Sequence, residues 1–534
     1  MTRRPMRRLL PLAAALLLSA RSLAQTPSDT TDYSRRYAAT ITAADLERHL
    51  RVLASDEYEG RETGQKGQKM AADYLAKQFA ADGLAGPVAG ATPHFQRFEL
   101  TRTEWADLRL DFGGRKLEYL KDFYPVGSAQ MPKLAKLRAV FVGYGIEENG
   151  HSDYAADVQG RPLDVRGRVV VMWQGEPTDE RGLSKLTGTS TRSTWTTDIT
   201  RKLALARQKG AVAALIISDR TPHNFREWMA RAAPHLREAR VGLPTSPEKA
   251  IIPAMLVSPE ALLARPGAGG LPLKRLSELT RASYPMPTKV RFRSRAETAP
   301  VQTENVLGYV EGTDKKDELI VLSAHYDHLG IRDGKVYNGA DDDGSGTVAV
   351  LEMAQAFAQA RRDGHGPRRS LLFLAVTGEE KGLLGSEYYT DHPVFPLAGT
   401  IANLNTDMIG RLDEAHSQDP NYVYVIGADK LASDLHRINE DQNQRYSGLK
   451  LDYTFNDPQD PNRFYYRSDH YNFARKGIPV AFYFNGVHAD YHQETDEVDK
   501  ILFPKMERIT RHVFHTAWEL ANRAERLKVD SNKP

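Results

Sequence analysis

The chain has 534 residues, of which 41% are hydrophobic and 26% charged, a composition that suits a globular protein of more than one domain and excludes a disordered or fibrous one. It contains no cysteine, so disulfides, thiolate metal sites and thiol nucleophiles are excluded. The formal net charge is +3, but residues 1–24 carry five arginines and no acid, and removing them takes it to −2. No basic surplus is left to suggest nucleic acid as a partner.

Arg3, Arg4, Arg7 and Arg8 precede an apolar run, Leu9 to Leu18, and the small-residue stretch Ser22-Leu23-Ala24. That order predicts an export signal over residues 1–24, with the mature chain starting near Gln25 in the periplasm or outside the cell. The run is too short to span a bilayer, and no later one reaches spanning length, so no transmembrane anchor is expected. Residues 25–43 read as a polar leader. A helix is expected from Thr42, which can cap it, with Leu46, Leu50 and Leu53 on its buried side. A polar loop, Asp56 to Gly64, leads to a second helix over 67–82, whose apolar face is Ala71, Tyr74, Leu75 and Phe79.

From about residue 131 the pattern turns β-rich, with strand-like runs at 140–145, 169–173, 211–218 and 251–257 and a helix at 202–209. Residues 131–295 are expected to be an insert between two parts of one domain, 44–130 and 296–530. Pro285 to Pro300, basic and proline-containing, reads as the returning linker. From Thr303 strands and helices alternate: strands at 319–323, 370–376, 400–404 and 479–484, helices at 347–360 and 383–389, and a closing helix over 501–526. This is an α/β arrangement with a mainly parallel sheet flanked by helices.

Five polar clusters fall at or just after the strand ends of that sheet: His325-Tyr-Asp327, Asp341-Asp342-Asp343, Glu379-Glu380, Asn405-Thr-Asp407 and Tyr491-His492. Each alone is an ordinary turn, cap or surface pair. Their recurrence at one edge, where open α/β sheets build their sites, is not. Two imidazoles and at least three carboxylates can hold two divalent metals with one carboxylate bridging, and such a pair polarises a carbonyl and acidifies a water. The chemistry then needs one further carboxylate that is not a ligand, to carry the proton. A Glu beside a Glu ligand meets that need. Asp327 is placed to accept the second imidazole N–H of His325.

The run His325-Tyr-Asp327, Gly339-Ala-Asp-Asp-Asp-Gly-Ser-Gly346, Gly378-Glu-Glu-Lys-Gly-Leu-Leu-Gly-Ser386, Asn405-Thr-Asp-Met408 and Asp490-Tyr-His492 resembles the M28 family of co-catalytic dizinc peptidases, and Glu59-Gly60-Arg61-Glu62-Thr63-Gly64 resembles the family's N-terminal region. The resemblance implies a phosphorylase/hydrolase-like α/β fold and two Zn2+ ions per chain. It implies His325 and Asp407 on one zinc, Glu380 and His492 on the other, and Asp342 between them, with a cis peptide after Asp342. It assigns Glu379 as general base and then acid, Tyr491 as support for the oxyanion, and Asp469 as a residue behind the ligands. His328, His470 and His488 are rival imidazoles to His492. The insert, through Asp164-Val-Arg-Gly-Arg-Val-Val-Val171 and Gly210-Ala-Val-Ala-Ala-Leu-Ile-Ile-Ser218, resembles a protease-associated (PA) domain. The function expected from this resemblance is an exported zinc aminopeptidase acting on peptides with a free N-terminus. Alternatives are a carboxypeptidase or other amidohydrolase of the same site type, a glutaminyl-cyclase-like transferase, and a non-catalytic binder.

Overall fold

The computed structural model describes residues 31–148, 150–157, 159–244, 250–262 and 283–531. The expected export signal and the start of the leader lie outside these residues.

The fold is organised on the strand Lys315–His325, whose inner part is an unbroken apolar run from Leu319 to Leu322. Such a run suits a strand covered on both faces. It pairs in parallel with Arg369–Val376 on one side and Thr400–Thr406 on the other, and Val480–Phe484 continues the parallel set. Tyr422–Ile426 closes that side antiparallel to Val480–Phe484, and Lys450–Asp452 forms the edge. Strand alternation divides the core. Ile320, Leu322, Leu371 and Phe373 face helices Ala43–Leu53, Lys66–Ala81, Gly346–Arg362 and Phe503–Asn522, while Val321, Leu372, Leu374 and Val376 face Tyr389 and Phe473 on the opposite layer. Thr42 caps the first of these helices by accepting from the Asp45 N–H at 3.1 Å, as its sequence predicts.

The expected linker is a strand. Tyr284–Val310 is continuous and pairs antiparallel with Phe95–Phe112, from Phe95 opposite Val306 to Phe112 opposite Val290, with one irregularity between Trp105 and Asp107. The expected boundary at 295/296 therefore falls inside a strand. The same strand pairs with Arg369–Val376 through Val306–Val310 and with Met131–Phe141 through its first half. One mixed sheet thus runs on through Met131–Phe141, Val169–Trp173, Ala213–Ile217 and Ala254–Val257 to Phe123–Val126. Four of these strands are mutually parallel. In residues 131–262 the expected helix is present as Ile199–Gln208 and a second, not expected, runs over Pro222–Arg237; together they place Leu203, Ala206, Phe225 and Met229 against Val170, Met172 and Ile216.

Candidate metal centre

The carboxyl end of the parallel set carries every polar cluster named above. His325 is the last residue of its strand, and Asp407 follows Thr400–Thr406. The loop after Lys315–His325 returns to start helix Gly346–Arg362, and the three aspartates lie in that approach.

The three carboxylates diverge. Asp343 is fully buried and turns back: it accepts from the main-chain N–H of His325 (3.2 Å), Gly346 (2.8 Å) and Met408 (3.1 Å), stitching three segments together. Gly346 permits this, because a Cβ there would lie 2.5 Å from an Asp343 carboxylate oxygen and 2.3 Å from the Thr406 carbonyl. Asp341 accepts from the Gly410 N–H at 2.6 Å and faces His488 Nε2 at 3.2 Å. Asp342 alone points between the imidazoles, with Oδ1 3.3 Å from His325 Nε2 and Oδ2 3.1 Å from His492 Nε2. The Asp342–Asp343 peptide is cis.

Two adjoining pockets result, sharing Asp342. In the first, His325, Asp342 and Asp407 bring their ligand atoms together, and His325 Nε2 lies 3.7 Å from Asp407 Oδ2 and 3.9 Å from Glu379 Oε2. In the second, His328, Asp342 and Glu380 converge, with His328 Nδ1 2.9 Å from Glu380 Oε1 and 3.9 Å from Asp342 Oδ2. His492 enters the same pocket from the side, Nε2 3.2 Å from Glu380 Oε2. The pocket therefore meets two imidazoles rather than one. The rival His328, passed over in sequence for His492, is fully buried and faces the carboxylates. His470 is not at the centre; it stacks on Phe482 with 4.6 Å between centroids.

This donor set fits divalent cations. Both ring nitrogens of His328, Oδ2 of Asp342 and Oε1 of Glu380 are buried without a hydrogen-bond partner among the described residues. Such orphaned groups are costly unless something unites them. His328 Nδ1 and Glu380 Oε1 approach to 2.9 Å without hydrogen-bond alignment, which suits two atoms facing a common cation. The electrostatics agree. Burial opposes ionisation of Asp342, yet His325 and His492 hold it well below the usual carboxylate range. Glu380, against burial and the Asp342 charge, is drawn down to about 2 by His328 and His492. His492, which burial would lower, is pushed up to about 10 by Asp342 and Glu380. The pocket attracts positive charge, as a cation site must.

Glu379 stands apart from the others. Burial holds its carboxyl well above the ordinary range, against the pull of His325 and with the help of Glu380 and Asp407. Its main-chain N–H donates to Asp327 Oδ1 at 3.2 Å. The expectation for Asp327 is corrected here: its carboxylate stands 3.8 Å from His325 Nδ1, and the ring nitrogen meets the Asp327 main-chain carbonyl at 3.1 Å instead. The carboxylate is taken up by Glu379 N–H and by the Thr63 hydroxyl at 2.8 Å. Asp327 thus positions the turn that carries Glu379.

Other supports surround the centre; of these, Asp469 and Tyr491 are expected from the sequence, while Ser468 and Asp496 carry little signal there. Ser468 donates to Asp407 Oδ2 at 2.7 Å and receives from Asn405 Nδ2 at 2.9 Å. Asp469 sits behind, accepting from Ser386 at 2.5 Å. Asp496 receives the main-chain N–H groups of Asp341 and Asp342 at 3.0 and 3.1 Å. Arg61, buried, donates to four main-chain carbonyls, those of Tyr326, Leu53, Asn338 and Gly339. Tyr491 stacks on His492, 3.9 Å between centroids, and lines the cavity beside Glu379.

A mainly parallel sheet with two adjoining imidazole–carboxylate pockets at its strand ends is the arrangement of an α/β metalloprotein. Residues 305–517 match the model of Peptidase family M28. A protein of Leptosphaeria maculans described as a probable zinc metalloprotease is 36% identical over 118 residues, 21% of this chain and 24% of that one. A probable glutamate carboxypeptidase of Zea mays is 28% identical over 300 residues, 51% of this chain and 37% of that one. The chain thus spans well under two thirds of the length of these relatives. The solved aminopeptidase from Aneurinibacillus sp. strain AM-1 shares the fold, with a TM-score of 0.55 at 18% identity over 94% of this chain and all of that one.

Proposed function

We propose that this protein is an exported zinc-dependent aminopeptidase. The observation that carries the reading is the convergence of His325, Asp342 and Asp407, and of Asp342, Glu380, His328 and His492, on two pockets that share one carboxylate. The family match and the zinc named for the fungal relative support this. His325 and Asp407 would hold one cation, Glu380 with His492 and His328 the other, and Asp342 both. Two cations so held would polarise the scissile carbonyl and lower the pKa of a shared water, making it a nucleophile once deprotonated.

The remaining chemistry belongs to the chain. Glu379, beside the first pocket and not needed as a ligand, takes the proton of the attacking water and delivers it to the departing amine. Asp327 and Thr63 fix the turn from which it projects. The Tyr491 hydroxyl, in the same cavity lining as Glu379, is assigned to steady the developing oxyanion. The acid-rich floor draws a protonated substrate amine, which favours cleavage at a free N-terminus. We read residues 131–295 as a PA-like insert that carries no catalytic group of its own.

The test is hydrolysis of aminoacyl 4-nitroanilides by zinc-loaded protein, with and without N-acetylation. Free-amine substrates alone should be cleaved. Cleavage of acetylated peptides from the C-terminal end would replace this reading with a carboxypeptidase.

A further inference from the structure

We propose that Arg467 is a receptor for a substrate carboxylate. This rests on the peptidase reading above and deepens it by naming the chemical class the site prefers.

The cavity over the centre has a floor of His325, Asp342, Glu379 and Asp407, and walls that are mostly apolar, among them Met408, Phe464, Phe482 and Phe484. An apolar pocket with one charged group at its wall selects ligands that carry the opposite charge. Arg467 is the fixed cation in this lining. Among the described residues its guanidinium has no carboxylate partner: Nη2 donates to the Tyr491 hydroxyl at 3.3 Å, and the group lies over Phe464, 4.9 Å from the ring centroid.

The other cations around the centre are committed. Arg411 pairs with Asp490 at 2.8 Å, Lys381 with Glu62 at 2.8 Å, and Arg61 is consumed by carbonyls. Arg467 is also held in place. The next residue, Ser468, is bonded to Asp407 at 2.7 Å, so the guanidinium is built out from a backbone tied to the centre. A planar fork with free N–H groups, stacked on an aromatic ring, matches a carboxylate through two parallel hydrogen bonds where an ammonium offers a point charge.

A substrate whose amine lies over the acidic floor can present a carboxylate to that wall from two sources. One is an acidic side chain on its first residue. The other is the C-terminal carboxylate of a dipeptide.

The experiment uses the full zinc-loaded protein and two matched pairs: glutamyl- against glutaminyl-4-nitroanilide, and Ala-Ala against its C-terminal amide. The wild type is expected to favour the carboxylate member of one pair in kcat/KM by about ten- to a hundred-fold, the size of a charge-assisted hydrogen-bonded pair. Arg467→Gln should collapse that ratio to within about threefold of one, chiefly through KM, and Arg467→Lys should restore part of it. The pair that responds identifies the source of the carboxylate. Zinc content and thermal midpoint, measured alongside, show whether a variant is folded and loaded. Two results overturn the proposal while leaving the peptidase reading intact: no preference in either pair, or a preference that survives in Arg467→Gln. Failure of the wild type to cleave any of the four overturns the peptidase reading and this proposal with it.

Discussion

Asp341, Asp342 and Asp343 are consecutive, yet one supports a neighbouring loop, one faces the imidazoles and one turns back to bind three main-chain N–H groups. Their substitutions should therefore differ in kind. Asp342→Ala removes the shared ligand of both pockets, so bound zinc measured by mass spectrometry should fall below one ion per chain. Glu379→Gln should keep the metal and lower kcat by about 10²- to 10⁴-fold, the usual cost of losing a general base. His328 gives a sharper test, because it is fully buried and no solvent-exposed role competes for it. His328→Ala should weaken retention of the second ion under dialysis against a chelator, as His492→Ala should, while the His325 pocket stays filled. The residue types were legible from sequence because they recur at strand ends. The number of imidazoles was not. His328 lies three residues after His325, beyond the strand, and its ring meets Glu380 in a space that Gly339 leaves open, where φ is +54° and a Cβ would strike that ring.

Elements with one strong period were readable. Helix Gly346–Arg362 matches its expected bounds closely and buries Val350, Leu351, Ala354, Phe357 and Ala358, although Val348, Ala349, Met353 and Ala356 on its other faces are buried as well. Phe357 meets Phe373, Phe514 and Trp518 and is fully buried, so Phe357→Ala should cost about 3–5 kcal/mol, seen as a lower denaturation midpoint. The ribbon of Phe95–Phe112 with Tyr284–Val310 was not readable, for a physical reason. Pro285, Pro287 and Pro300 suggest interruption, because proline cannot donate to a ladder. Yet Val290-Arg-Phe-Arg alternates, with Val290 and Phe292 buried and Arg291 partnered outward with Asp111, which is a half-buried strand's signature. Distant pairing overrode the local punctuation.

Across the whole molecule, several histidines are buried as neutral groups far from the candidate centre or behind it. Burial lowers His470 and His512 to about 3, and lowers His515 to about 4 with Asp32 opposing. Their ordinary value is 6.5, so the unfolded chain binds protons that the folded chain refuses between pH 6.5 and those values. Their contribution is complete above pH 6.5 and is lost as pH falls, by up to about 1.4 kcal/mol per histidine per pH unit. Urea midpoints should therefore drop steeply from pH 6.5 to 4.5, and His512→Gln should flatten the slope. A flat profile for the wild type would contradict the burial. The sheet's continuity from Lys450–Asp452 to Phe123–Val126 was also hidden in sequence, since strand order across a long insert is set by which edges remain to be covered.

The buried guanidinium of Arg61 joins a loop near the start of the chain to carbonyls at 326, 338 and 339, while the last imidazole of the cluster arrives at His492. During synthesis, then, no intermediate length of polypeptide holds a complete constellation. The order of emergence from the ribosome itself delays assembly of the second pocket until His492 has been made.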